Sequence, residues 1–302
     1  MTHLIFIALF PLIALIAMGY LLKQSRMLDE PFWKGAEKLN YYILFPSMLF
    51  LNLATANIEA KSIAQILSVV GIIVALVSCL LYALRGYFKT PAVRFGVYMQ
   101  SMVRFNTYIG LALVAALFQV QGMALFAIIL VFCIPLVNVL SVLALSDTKA
   151  LQAKQILWSL MKNPLILGCI VGGLFNLSGL SLWEGAAHFI RQIALCSLPL
   201  GLMCVGAALQ FNGLQRNVFA LALNMFGRLL FMPALAWLIC QSLNIPVLES
   251  QILVLFFALP TASAAYVLTQ VLGGDSRLMA TIISLQTVFA ALTLPIVLWL
   301  LI

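Results

Sequence analysis

The chain has 302 residues, 65% of them hydrophobic and only 8% charged, with a mean hydropathy of +1.15 and a formal charge of +8. A water-soluble globule of this size could not cover its surface with so few polar groups, so the composition excludes a soluble enzyme or a separate soluble domain and points to lipid as the solvent. Six cysteines, Cys79, Cys133, Cys169, Cys196, Cys204 and Cys240, sit inside apolar runs without paired spacing, which argues against a disulfide framework or a zinc site.

Hydropathy divides the chain into ten spans: 3–22, 37–55, 63–84, 92–118, 122–144, 163–179, 188–210, 217–240, 248–272 and 277–301. Each is a continuous run of about the 20 residues a helical crossing needs, roughly twice the length of a transmembrane β-strand, so the expectation is an all-α integral membrane protein. The first span does not read as a cleaved signal peptide, because Lys23 and Arg26 follow its apolar run instead of preceding it. Phe32, Trp33 and Trp183 stand beside charged residues and are expected as anchors at the membrane interface.

Alternate linkers differ in charge. Lys23, Arg26, Lys34, Lys38, Arg85, Lys89, Arg94, Lys149, Lys154, Lys162, Arg216 and Arg277 fall on one side, whereas Lys61 and Arg191 fall on the other. This bias predicts cytoplasmic linkers after spans 1, 3, 5, 7 and 9 and both termini outside. It also accounts for the net positive charge without nucleic acid, for which no basic patch exists.

An internal repeat sets the expected architecture. Residues 11–54 lie on residues 164–207 without a gap: Pro11 falls on Pro164, Gly19 on Gly172, Pro46 on Pro199, Leu49 on Leu202 and Ala54 on Ala207. Further on, Pro135 answers to Pro295. The repeat is five spans long, and an odd number of crossings turns the second copy upside down. The domain expectation is therefore a first five-helix repeat over 1–146, a cytoplasmic linker over 147–162 and a second, inverted repeat over 163–302.

Inverted repeats place substrate at the midplane between interrupted helices. Span 4 carries a polar stretch from Met99 to Gly110, and Asn106 lies 12 residues beyond Arg94, about 18 Å of helix and roughly half the hydrocarbon core. In span 9, Pro260 lies 11 residues beyond Glu249, about 16 Å by the same rise. Proline lacks an N–H and clashes with the preceding turn, so span 9 should break near Leu259. Asn106, Thr107, Thr261 and Ser263 are residue types suited to start a second half-helix after each break. Two half-helix N-termini aimed at one region favour an anion.

Arg104 and Arg228 also originate deep in the bilayer, whereas all eight acids, Asp29, Glu30, Glu37, Glu59, Asp147, Glu184, Glu249 and Asp275, belong to linkers or helix ends. A buried guanidinium needs partners. Two uses are open for each arginine: gripping a substrate carboxylate, or bonding carbonyls freed at the kinks and snorkelling to the cytoplasm. The candidate substrate-binding set is thus Arg104, Asn106, Thr107, Pro260, Thr261, Ser263 and Arg228. Asn52, Asn138, Asn224, Gln210 and Gln286 are candidates for the pathway or for interhelical hydrogen bonds, and Gly168 with Gly172 for helix packing.

The motifs Asn106-Thr107-Tyr108-Ile109-Gly110, Pro46-Ser47-Met48-Leu49-Phe50, Pro199-Leu200-Gly201-Leu202 with Gly206-Ala207-Ala208-Leu209, and Leu259-Pro260-Thr261-Ala262 with Gly273-Gly274-Asp275 resemble the auxin efflux carrier family over nearly the whole chain. The resemblance implies a ten-helix transporter of two inverted five-helix repeats with crossing broken helices 4 and 9, in which Asn106 and Pro260 mark the crossover. It also implies a carboxylate substrate, malate or malonate for bacterial permeases of the family and auxin for plant members. Phe105 stands where the plant pattern has a proline, and the long central hydrophilic loop of plant members is missing, which points to a bacterial member in the inner membrane.

The expected function is a secondary transporter of small organic anions working by alternating access. The alternative is a non-transporting sensor or assembly subunit of the same fold. An enzyme is not expected, because no Ser–His pair, aspartate pair or metal cluster falls at depth. No cofactor is expected. The expected partners are the bilayer, a small carboxylate, sodium or a proton as coupling ion, and a second copy of the chain in a homodimer.

Overall fold

The computed structural model describes residues 2–56, 60–145, 163–211 and 218–301, and among these there are helices, turns and bends but no strand. The expected linker over 147–162 lies outside the described residues. In chain order come α1 (Thr2–Gln24), α2 (Glu30–Leu39), a π turn over Asn40–Leu44, α3 (Phe45–Ala54), α4 (Ala60–Phe88), α5 (Ala92–Val103) and α6 (Thr107–Leu145). Beyond the linker follow α7 (Pro164–Leu177), α8 (Glu184–Ala207), α9 (Val218–Phe226), a π turn over Gly227–Phe231, α10 (Met232–Ser242), α11 (Val247–Ala258), α12 (Ala264–Val271) and α13 (Ser276–Leu301).

Six helical runs among the described residues are long and apolar enough to cross a membrane: Ile7–Gln24, Ser62–Phe88, Ala92–Leu145, Glu184–Ala207, Val218–Ser242 and Ser276–Leu301. The difference from the ten hydropathy spans has structural causes. Ala92–Leu145 contains spans 4 and 5, joined by a kink at Gln119, whose backbone is left-handed (φ 51°, ψ −148°). Spans 2 and 9 are divided into pieces, and Pro164–Leu177 is a shorter apolar helix.

Local sequence explains the element boundaries. Asp29 accepts from the Phe32 amide at the start of α2, and Asn163 accepts from the Leu165 and Ile166 amides at the start of α7, each with a proline in the first turn. Both π turns end two residues before a proline, Leu44 before Pro46 and Phe231 before Pro233. The ring would collide with the carbonyl one turn upstream, and the widened turn removes that conflict without ending the helix.

Packing between helices uses close backbone approaches. A Cβ on Gly19 of α1 would run into the Met203 backbone of α8, and one on Gly172 of α7 would sit 2.7 Å from the Phe50 carbonyl oxygen of α3. These two contacts exchange under the 153-residue offset that lays Pro11 on Pro164, since Gly19 maps to Gly172 and Phe50 to Met203. Gly168 likewise meets Pro46, so the Gly168–Gly172 pair packs α7 onto α3. Trp33 departs from its expected place at the interface. It is 5% exposed and packs with Ala36, Cys204 and Ala207 between α2 and α8, whereas Trp183 is 79% exposed.

Among the described residues, the helix ends sort onto two faces. Asp275 lies 4.0 Å from Arg94, and its amide donates to the Val93 carbonyl, joining the loops before α5 and α13 on one face. On the other, Asn176 donates to the Ala54 and Ala56 carbonyls, the Ser62 hydroxyl donates to Glu249, and Gln251 donates to the Leu301 carbonyl. Large apolar side chains such as Phe10, Leu177, Leu195 and Phe219 stay uncovered on the flanks, as lipid-facing positions should.

Candidate functional site

The two expected breaks meet. α5 ends as Arg104 turns extended (φ −78°, ψ 148°), and α11 ends as Leu259 does the same (φ −67°, ψ 140°). The Asn106 amide, which in an unbroken helix would bond the Met102 carbonyl, donates instead to the Pro260 carbonyl at 2.7 Å. Backbone of one interrupted crossing thus pairs with backbone of the other.

Each break leaves carbonyls that lipid could not satisfy, and three of them, those of Ser101, Met102 and Leu259, find side-chain donors. The Met102 carbonyl accepts from Arg228 Nη1 at 2.6 Å, and the Leu259 carbonyl from Arg228 Nε at 2.7 Å. The Ser101 carbonyl accepts from the Thr261 hydroxyl at 2.8 Å. Gln286 of α13 completes the frame: its Oε1 accepts from the Thr261 amide at 2.9 Å, and its Nε2 donates to Asn224 Oδ1 at 2.9 Å. Asn224 in turn donates to the Ser101 hydroxyl at 2.7 Å. Arg228, Thr261 and Gln286 are all wholly buried.

The second halves start differently. Asn106 Oδ1 accepts from the Tyr108 and Ile109 amides at 3.1 and 3.2 Å and so caps α6, as its residue type suggested. At α12 the N-cap position is Ser263, whose side chain makes no capping bond; the turn closes through the Ala262 and Ser263 carbonyls. Asn106 Nδ2 is buried without a hydrogen-bond partner, and so is Arg228 Nη2.

A cavity of about 500 Å³ opens onto this region. It is lined by Asn106, Thr107, Ala262 and Ser263 from the two breaks and by Lys34, Glu37 and Lys38, one face of α2, with Tyr41 of the π turn that follows. Of the residues expected at the site, Asn106, Thr107 and Ser263 line this cavity; Pro260, Thr261 and Arg228 build the crossover behind it. Arg104 is elsewhere. It reaches α6, donating from Nε to the Ser141 hydroxyl at 3.1 Å and from Nη2 to Asn138 Oδ1 at 2.7 Å. Sequence reasoning missed the α2 face, because Lys34, Glu37 and Lys38 read as residues of a helix edge; their spacing of three and four was the available signal. A second cavity of about 320 Å³ between α1 and α13 is lined mainly by apolar side chains, among them Leu9, Leu12, Ile16 and Leu294.

Comparison with known proteins agrees with a transporter. A family model described as "Membrane transport protein" matches residues 4–298. An uncharacterized transporter of Methanocaldococcus jannaschii is 24% identical, with 95% of this chain and 96% of that protein aligned. An uncharacterized transporter of Methanothermobacter thermautotrophicus is also 24% identical, with 94% of each chain aligned.

Proposed function

Because the chain belongs to the membrane transport protein family, the family of the auxin efflux carriers, we propose that this multi-pass membrane protein is a secondary carrier of small organic anions, malate and malonate among them. The observation that carries the reading is the buried, unpartnered amide nitrogen of Asn106, a residue that lines the cavity. An amide donor without an acceptor costs about 1–3 kcal/mol, a penalty that a bound carboxylate removes. Thr107 and the N-terminal turns of α6 and α12 add donors and positive dipole ends around the same point. Lys34 and Lys38 attract an anion to the cavity, while Glu37 limits how tightly it is held.

Alternating access follows from an inverted repeat. The exchange of the Gly19–Met203 and Gly172–Phe50 contacts under one offset supports that architecture, as does the sorting of the described helix ends onto two faces. Rocking the bundle that carries the crossover would turn the site from one face to the other. In this reading the face with Lys34 and Lys38 is cytoplasmic, both termini are outside and the membrane is a bacterial inner membrane. The test is counterflow of labelled malate and malonate in proteoliposomes. Accumulation that unlabelled carboxylates compete away is the expected result; no exchange across a panel of mono- and dicarboxylates would refute the assignment.

A further inference from the structure

Interrupted helices in secondary transporters usually present their C-terminal carbonyls to a bound sodium ion or proton. Here that position is filled by the protein itself. Arg228 is wholly buried, and its guanidinium spans the C-terminal carbonyls of both first halves, Met102 of α5 and Leu259 of α11. A guanidinium stays charged in proteins, so the negative ends of two helix dipoles converge on a permanent cation. The π turn over Gly227–Phe231 positions it: the extra residue per turn re-aims residue 228, and Pro233 fixes where that turn falls.

We infer that Arg228 is the resident cation of the crossover, and that this carrier consequently binds no sodium at the crossover and moves its substrate without sodium. Three features carry the inference together. The carbonyls are those the breaks free, since Asn106 has turned its amide from Met102 to Pro260. Both contacts are short, at 2.6 and 2.7 Å, as charge-assisted bonds are. No described cluster of acids at this depth supplies the negative charge that a second cation would need. Arg228 is accordingly a positioning residue: it holds the two first halves in register so that Asn106, Thr107 and Ser263 face one cavity.

The statement about transport rests on the carrier reading, whereas the statement about ion binding does not, and thermal unfolding of the purified full-length protein in detergent reads the second alone. Wild-type protein is expected to melt at the same temperature in sodium, potassium and choline chloride at equal ionic strength. A saturable rise of several degrees specific to sodium would overturn the inference. Arg228→Lys should retain most of the wild-type melting temperature, and Arg228→Gln, which can donate hydrogen bonds but carries no charge, should lose several degrees. Equal stability of the Gln variant and the wild type would show that the charge is not needed and would also overturn it. In Arg228→Ala, methylguanidinium at millimolar concentration should raise the melting temperature saturably while leaving wild type unchanged; the absence of such rescue would count against a cation seat. If counterflow shows transport, its rate should be the same when sodium is replaced by choline on both sides. Failure of counterflow altogether, with the melting behaviour as expected, would remove the carrier reading and leave the resident cation standing.

Discussion

The two breaks at the crossover reach the same geometry by different chemistry. The second is built into the covalent chain, because Pro260 has no amide proton and cannot continue α11. At the first there is no proline: Phe105 and Asn106 could both continue a helix, and the break holds because the Asn106 amide pairs with Pro260 while its side chain caps α6. A break made of hydrogen bonds should be the more vulnerable of the two. It also leaves Asn106 Nδ2 buried without a partner, on a side chain that lines the cavity.

That contrast gives the largest expected effect. Asn106→Asp keeps an acceptor for the Tyr108 and Ile109 amides but replaces the free donor with a negative charge. Melting temperature should stay within a few degrees of wild type while carboxylate counterflow disappears. Asn106→Ala removes both functions and should in addition lose about 1 kcal/mol of capping stability. Next comes Gln286→Leu, which strips the Thr261 amide and Asn224 of their partner. A loss of about 1–3 kcal/mol is expected, visible as a lower melting temperature and reduced flux. Pro260→Ala should do less, a few-fold loss of flux, because the Pro260 carbonyl, the Thr261 bonds and Arg228 still hold the second break open. If Pro260→Ala proves worse than Asn106→Ala in both stability and flux, the proposed difference between the breaks is reversed.

Smaller effects belong to the α2 face. Lys34→Gln with Lys38→Gln should raise the half-saturating substrate concentration a few-fold at low ionic strength, and the effect should shrink as salt screens the field. Glu37→Gln should act with the opposite sign, tightening anion binding by a few-fold near neutral pH by removing a like charge from the cavity. Saturation curves at two ionic strengths separate these from any change at the crossover.

What the sequence made legible, and what it hid, follows the range of the interactions. Pro260 in an apolar run and the polar stretch around Asn106 announce their breaks locally, since lipid tolerates freed backbone groups only where something polar receives them. The receiving partners are distant in sequence. Nothing near Ser101, Met102 or Leu259 says that Thr261, Arg228 and Gln286 will supply the donors, so Gln286 and Asn224 read only as generic polar residues of a crossing. Arg228 shows the same limit. Its depth was evident, but only the folded chain shows it spanning two helix ends, while Arg104 lies with Asn138 and Ser141. Trp33 and Glu37 failed for a related reason: a tryptophan or acid near a span edge resembles an interface residue until the packing of α2 against α8 buries one and sets the other along a cavity.

The central claim is that an anion binds where the two breaks face one another. A structure determined with a bromine-labelled dicarboxylate, the halogen located by anomalous scattering, tests it most directly. The expected result is a single strong peak in the cavity between Asn106, Thr107 and Ser263, present in wild type and gone in Asn106→Asp. A ligand that exchanges in proteoliposomes yet gives its peak elsewhere, in the apolar cavity beside Leu9 and Leu294 or on the α6 side with Arg104, would contradict the account.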